Sequence, residues 1–375
     1  MDRLNRRALR PFVFIAALCC CPTVARPQQD LPKLRLPGHR PVTEVIGSLP
    51  GNRIEPERVA LGTPASTLRR PELLGVSQIW AKGAHNAFTD LVRFRERWYC
   101  AFREASGRFS ADGVIRLITS ADGDAWGPSS LVTSPGADLR DPKLGITPDR
   151  RLMLTAAARY EGPAETRFQT LTWYSLDGRD WADPFKIGDP DVWLWRINWQ
   201  RGNAYSVGYS TSEDRFIRLY VGPEGLRFRG VSEKIYDQAT PTEATLLFNS
   251  DDSSLCLLRR DAGSGTTLLG RSRPPYRSWE WQDLGVRLSS PNMIRLPDGR
   301  IVAAGSLEDS RQRTALCWLD ERQATLREFL TLPSAGDAGY PGLAFHQGLL
   351  WISYHSSHEG RAAIDLAKVR LPLEE

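Results

Sequence analysis

Asn292-Met293-Ile294-Arg295-Leu296-Pro297-Asp298-Gly299-Arg300-Ile301-Val302-Ala303-Ala304 is a pair of apolar runs around a Pro-Asp-Gly turn. Pro presets φ, Asp bonds its own backbone and Gly accepts positive φ, so the stretch predicts a β-hairpin. The same plan returns at Phe88-Thr89-Asp90, Asp141-Pro142-Lys143, Arg196-Ile197-Asn198, Glu243-Ala244-Thr245 and Tyr340-Pro341-Gly342, at intervals of about fifty residues. Pro148-Asp149, Asp251-Asp252 and His346-Gln347-Gly348 supply further turns. A second hairpin follows most of these, as in Val114–Thr119 or Phe168–Trp173, giving about four strands per unit. Six such units predict an all-β fold, a six-bladed β-propeller of four-stranded antiparallel blades. A β-sandwich followed by a second β-domain is the competing arrangement, and the even spacing disfavours it.

The sixth unit runs out of chain near Leu373, one strand short, while Leu73-Leu74-Gly75-Val76-Ser77-Gln78-Ile79-Trp80 stands unassigned before the first. That N-terminal strand is expected to complete the last blade and hide two sheet edges. The propeller is expected to span residues 71–375. Residues 26–70 carry Pro27, Pro32, Pro37, Pro41, Pro50, Pro56 and Pro64 among polar residues, a composition expected of a tether or arm.

Residues 1–25 read as a cleaved export signal: Arg3, Arg6, Arg7 and Arg10 precede an apolar run from Pro11 to Val24 that ends in small residues. The Arg6-Arg7 pair resembles a twin-arginine signal only loosely, so ordinary secretion is the expected route, to the periplasm or outside the cell. Cys19, Cys20 and Cys21 lack the preceding triplet that lipid attachment requires, which disfavours a lipid anchor. The remaining cysteines, Cys100, Cys256 and Cys317, are odd in number and widely spaced, so buried free thiols are expected, with no structural metal and no cofactor. The chain of 375 residues carries a net charge of +5; loss of residues 1–25, with four Arg and one Asp, would leave about +2. Such near-neutrality argues against nucleic acid as a partner. Beyond the leader no apolar run is long enough to span a bilayer.

Two units contain Ser-x-Asp-Gly-x-x-Trp, as Ser120-Ala121-Asp122-Gly123-Asp124-Ala125-Trp126 and Ser175-Leu176-Asp177-Gly178-Arg179-Asp180-Trp181, 55 positions apart. Asp can accept backbone N–H bonds, Gly permits positive φ and Trp packs between sheets, so each is a structural staple. On a body of propeller length these motifs resemble the Asp-boxes of the sialidase superfamily, although they are one residue tighter than usual. The resemblance covers roughly Ala84 to the C-terminus. It implies a six-bladed propeller and, more weakly, a glycoside hydrolase acting on terminal sugars of a glycan, because non-enzymatic propellers also carry such boxes.

In a propeller the starts of the inner strands face one central funnel, which gathers Asn86 to Asp90, Arg140, Asp141, Arg196, Glu243, Asn292 and Tyr340. Arg103, Arg159, Arg259 and Arg260, at the ends of second strands, can reach the same mouth. Sialidase-like enzymes use a late Tyr activated by a Glu, an early loop Asp as acid/base and three Arg that clamp the substrate carboxylate. By resemblance Tyr340 matches the nucleophile, Glu243 its activator and Asp112 the acid/base, while Arg259 or Arg260 matches one clamp member. Asn86-Ala87-Phe88 and Ser290-Pro291-Asn292 stand where the other two arginines belong. Either Arg103, Arg140 and Arg196 rebuild that grip, with Asp141, Arg159 and Asn292 as further binding residues, or the sugar is not sialic acid.

Each residue also has a structural reading: Tyr340 as a core tyrosine, Glu243 in an ion pair with Arg259, Asp112-Gly113 as a turn, Arg196 stacked between Trp195 and Trp199. His355 and His358 are expected to be solvent-facing turn histidines. An exported glycoside hydrolase is the leading expectation. A carbohydrate-binding propeller without catalysis is the alternative, favoured by Trp193, Trp195 and Trp199, and a polysaccharide lyase with Tyr340 as base is the weaker one.

Overall fold

The structure, a computed structural model, describes residues 70–162 and 166–372. The expected leader, and the proline-rich arm up to residue 69, lie outside the described residues. Six antiparallel sheets follow one another around a ring, with no helix among the described residues. Blade one shows the plan: His85–Phe94, Arg97–Ala105, Val114–Ser120 and Gly127–Val132 pair in sequence order from the axis outward. Blade three differs, its inner strand being split into Val192–Leu194 and Asn198–Gln200, both paired with Asn203–Ser210.

Blade six takes Gly339–His346, Leu349–Ser356 and Ala363–Arg370 from the end of the chain and Glu72–Trp80 as its outermost strand. The N-terminal strand therefore closes the last blade, as the missing strand predicts. Trp80 at its end is buried and donates its indole N–H to Glu104 of blade one at 2.9 Å.

The core is divided into wedges between blades, because each strand buries one face against a neighbouring sheet. Leu139, Leu152 and Leu154 of blade two meet Ile115 and Leu117 of blade one, and Ile301 and Ala303 of blade five meet Leu255 and Leu257 of blade four. Trp98 and Trp351 pack at 4.5 Å between blades one and six. Cys100, Cys256 and Cys317 are buried free thiols within these wedges.

The Ser-x-Asp-Gly-x-x-Trp turns join third and fourth strands. In the first, Asp122 accepts the backbone N–H groups of Asp124 (2.8 Å) and Ala125 (3.1 Å), and Ser120 accepts that of Gly123 (2.8 Å). Those bonds hold the Asp122 carboxyl down at about 2. In the second turn Asp177 repeats the pattern, and the Tyr99 hydroxyl of blade one donates to its carbonyl at 2.8 Å. The second turn thus also stitches blade to blade.

One irregularity positions the site. In five blades the inner strand sets two residues against one of its partner: between Ala87 and Asp90, Arg140 and Lys143, Pro241 and Ala244, Ser289 and Asn292, and Gly339 and Gly342. This is a β-bulge, which re-aims the side chains at the sheet's end. Phe88, Asp141, Ser290 and Tyr340 sit on bulges with φ of 63°, 48°, 48° and 53°. For such residues this backbone is strained, and the packing around it has to hold it.

Candidate active site

Tyr340 is clamped at its bulge from two sides. Its N–H donates to Ser290 Oγ of blade five at 3.0 Å and its carbonyl accepts from Thr89 of blade one at 2.8 Å. The half-buried ring stands edge-on to Phe88 (4.6 Å) and tilted against His355 (5.6 Å) and Trp195 (6.0 Å). Its hydroxyl donates to Glu243 Oε1, on the bulge of blade four, at 3.1 Å. Glu243 Oε2 accepts the Ser290 N–H at 2.6 Å and pairs with Arg259 at 2.9 Å; Arg259 also donates to Asp261 at 2.8 Å. Burial pushes the Tyr340 hydroxyl well above the ordinary phenol value, and the Glu243 and Asp141 carboxylates add to the effect. At neutral pH it is a neutral phenol beside a carboxylate that can take its proton.

Asp141, on the bulge of blade two, is buried and pushed up to about 6, first by desolvation and then by the Glu243 charge, against the pull of Lys143 and Arg140. Lys143 is also buried. Its ammonium lies 4.5 Å from the Trp195 ring centre and 5.9 Å from that of Tyr340. Tyr340, Glu243, Arg259, Asp141 and Lys143 thus come from three blades to one place.

No family model and no curated protein matches this chain. Solved structures do. A Dyadobacter fermentans protein of unknown function shares 16% identity over 80% of this chain and 99% of that one, with a TM-score of 0.74. A Penicillium chrysogenum α-L-arabinanase complexed with arabinobiose shares 14% over 79% and 98%, with a TM-score of 0.63. A Trypanosoma rangeli sialidase in complex with the inhibitor DANA shares 11% over 76% of this chain and 55% of that one, with a TM-score of 0.60. The chain has the sialidase-like six-bladed propeller fold.

In this sialidase-like propeller the two residues that the resemblance matches to nucleophile and activator are hydrogen-bonded to each other. The arginines behave differently from the expectation. Arg103 has no exposed surface: its guanidinium bonds Asp138 (2.8 Å) and the carbonyls of Gly107 and Ser110 (2.9 Å each), so it pins the loop 106–113 and cannot touch a ligand. Arg196 makes a two-pronged pair with buried Asp90, both bonds 2.9 Å, in place of stacking between tryptophans. Arg140 bonds Asp138 (2.9 Å) and the Arg108 carbonyl (3.1 Å) while lying over Phe88 at 5.3 Å, so it flanks the centre already occupied. Arg159 reaches Glu161 at 3.5 Å. Arg260 bonds Asp283 at 2.7 Å. Asn292 spends its amide on the Pro341 carbonyl at 3.0 Å, holding blade five to blade six behind Tyr340. These carboxylates are distant in sequence from most of their arginines, which is why a reading of strand ends alone counts the guanidiniums as free.

Asp112 is exposed on the 106–113 loop and accepts the Ser106 N–H at 3.2 Å. Bonds from Ser110 and Ser106 hold its carboxyl below the ordinary range. Its side chain makes no hydrogen bond to Tyr340 or Glu243 among the described residues. The loop is tied to its neighbours through Arg108 to Asp337, ahead of blade six, and through the Arg108 carbonyl to Arg140 of blade two. His355 is fully buried, contrary to the turn reading. It accepts the strained Phe88 N–H at 3.3 Å and bonds Asp337 at 3.3 Å, behind Tyr340.

Lys143 and Ser290 take part at the centre although neither was among the residues expected at the funnel, whereas Phe88 and Asp90, which were, serve there as the ring against Tyr340 and the partner of Arg196. One signal was present: Asp141-Pro142, Ser290-Pro291 and Tyr340-Pro341 each put a Pro where a continuous inner strand would need an N–H, a mark of a bulge.

Proposed function

We propose that this protein is an exported glycoside hydrolase that works by acid/base and nucleophilic chemistry on a terminal sugar. The observation that carries the proposal is the hydroxyl of Tyr340, on its strained bulge, 3.1 Å from Glu243 on the bulge of blade four, with Arg259 behind it. Tyr340 Oη attacks the anomeric carbon as its proton passes to Glu243 Oε1, and the bond to the leaving oxygen breaks. Once the incoming sugar displaces the Ser110 and Ser106 bonds that favour its carboxylate, Asp112 takes up a proton from solvent, gives it to that oxygen as the bond breaks, and recovers one from the water that releases the sugar. A neutral phenol avoids placing a second anion beside Glu243 before reaction. The similar α-L-arabinanase and sialidase structures support a glycan as substrate. A lyase that neutralises a uronate with Arg103, Arg140 and Arg196 finds no support, since each is already paired.

The test is incubation of the full chain with a panel of neutral, uronate-containing and sialylated oligosaccharides, with products read by mass spectrometry. Release of a monosaccharide with retained anomeric configuration, lost in Tyr340→Phe, is expected. Binding without any product would instead identify a carbohydrate-binding propeller. Export predicts that the mature protein begins at Arg26, which N-terminal sequencing reads directly; a retained Met1 would overturn it.

A further inference from the structure

Two buried polar groups of opposite kind lie two positions apart on blade two, close enough for their charges to act on each other. Asp141 is 6% exposed, and its Oδ1 accepts no hydrogen bond from the protein. Lys143, 4% exposed, makes no ion pair among the described residues, and its one hydrogen bond is a long 3.4 Å contact to the Pro142 carbonyl. Its ammonium is aimed past Trp195 toward the Tyr340 ring. Buried carboxylate and ammonium groups are costly unless partnered, so both have strong unmet demand, one for a donor and one for an acceptor.

A hydroxyl meets both demands, since it donates and accepts at once. Two adjacent hydroxyls of a sugar can donate a hydrogen bond to Asp141 Oδ1 and accept one from Lys143 Nζ, leaving the anomeric carbon to Tyr340. A carboxylate meets only the second demand and would stand against Asp141 and Glu243 with like charge. The surrounding guanidiniums offer it little, because Arg196, Arg140 and Arg259 are paired with Asp90, Asp138 and Glu243.

We propose that Asp141 and Lys143 form a socket for adjacent hydroxyls of an uncharged sugar, and that this socket, rather than a carboxylate clamp, selects the glycosyl residue held against Tyr340. The proposal rests on the glycan-directed reading above and names its substrate class.

The experiment measures binding separately from turnover. Full-length Tyr340→Phe protein is titrated with neutral pentose and hexose oligosaccharides, uronate oligosaccharides and sialyllactose, alongside Asp141→Asn and Lys143→Met in the same background. Circular dichroism and melting curves establish that each is folded. Neutral sugars are expected to bind, and each socket variant to lose roughly tenfold or more in affinity. An analogue lacking one of the adjacent hydroxyls should lose a similar factor on the parent protein and little more on the variant missing its partner, a coupling that a merely structural role would not produce. Preferred binding of sialyllactose or uronates, binding unchanged in both variants, or a panel with no neutral sugar bound would each overturn the socket. Neutral-sugar binding through Asp141 and Lys143 with no product from wild type would sink the hydrolase reading alone. Product from sialosides only would sink the socket alone.

Discussion

Removing the Tyr340 hydroxyl and removing the Glu243 charge test opposite halves of one hydrogen bond. Glu243→Gln keeps a partner for Ser290 and Tyr340 but cannot take the phenol proton, so kcat should fall by roughly 10²–10⁴-fold with the fold intact. Tyr340→Phe should cost at least as much, and steady-state kinetics with circular dichroism would check both. Asp141 adds a pH dependence. Its pKa of about 6 in the folded chain lies above its unfolded value, so between these values the folded state holds a proton that the unfolded state has released. The stability this contributes is full at low pH and lost as pH rises through about 6. Asp141→Asn should therefore raise stability at pH 7–8 by on the order of 3 kcal/mol, with the gain vanishing toward pH 4. Denaturant titrations at several pH values would show it, and a gain independent of pH would refute it. The meeting of Tyr340 with Glu243 was legible from their place at the starts of inner strands. The loss of Arg103 and Arg196 to internal pairs was not, because nothing in a strand-end pattern reports that Asp138 or Asp90 is waiting across a blade.

At the scale of the element, the bulge and the 106–113 loop decide what the blades present. Strand periodicity fixes which residues alternate, but one extra residue reverses that alternation, so Lys143 could not be assigned a side from pattern alone. The loop depends on Arg103, whose guanidinium fills the space beside Gly113: a Cβ there would come 2.0 Å from Asp138 Oδ1 and 2.3 Å from Arg103 Nε. Gly113→Ala must break that buried pair. It should destabilise the protein by about 3–5 kcal/mol, since it parts the buried Arg103 guanidinium from its carboxylate, and Arg103→Met by less, because Asp138 keeps its bond to Arg140. Chemical denaturation would measure both, and a near-neutral Gly113→Ala would show that the loop is not held as described. The hairpin turns, by contrast, were readable residue by residue, because Pro-Asp-Gly and Ser-x-Asp-Gly encode their geometry locally.

At the scale of the whole molecule, six similar units and one missing strand were enough to foresee the ring and its closure, since each unit must bury its faces against the next. Deleting residues 1–80 removes the outermost strand of blade six together with Trp80 and its bond to Glu104. The Ala363–Arg370 strand then becomes an open sheet edge, and the variant should aggregate and melt lower than a form trimmed to residue 69. Size-exclusion chromatography with thermal melts separates the outcomes, and equal behaviour of the two truncations would show closure to be dispensable. Glu72 and Arg370, bridged in that blade, are 298 positions apart. On the ribosome Glu72 is made 298 residues before Arg370, so the Glu72–Trp80 strand must wait for its partner while the blades between them are synthesised. Ring closure therefore follows the synthesis of the strand Ala363–Arg370 and is limited by a long loop closure, and it is in that interval that the chain is most exposed to chaperones, proteases and its own neighbours.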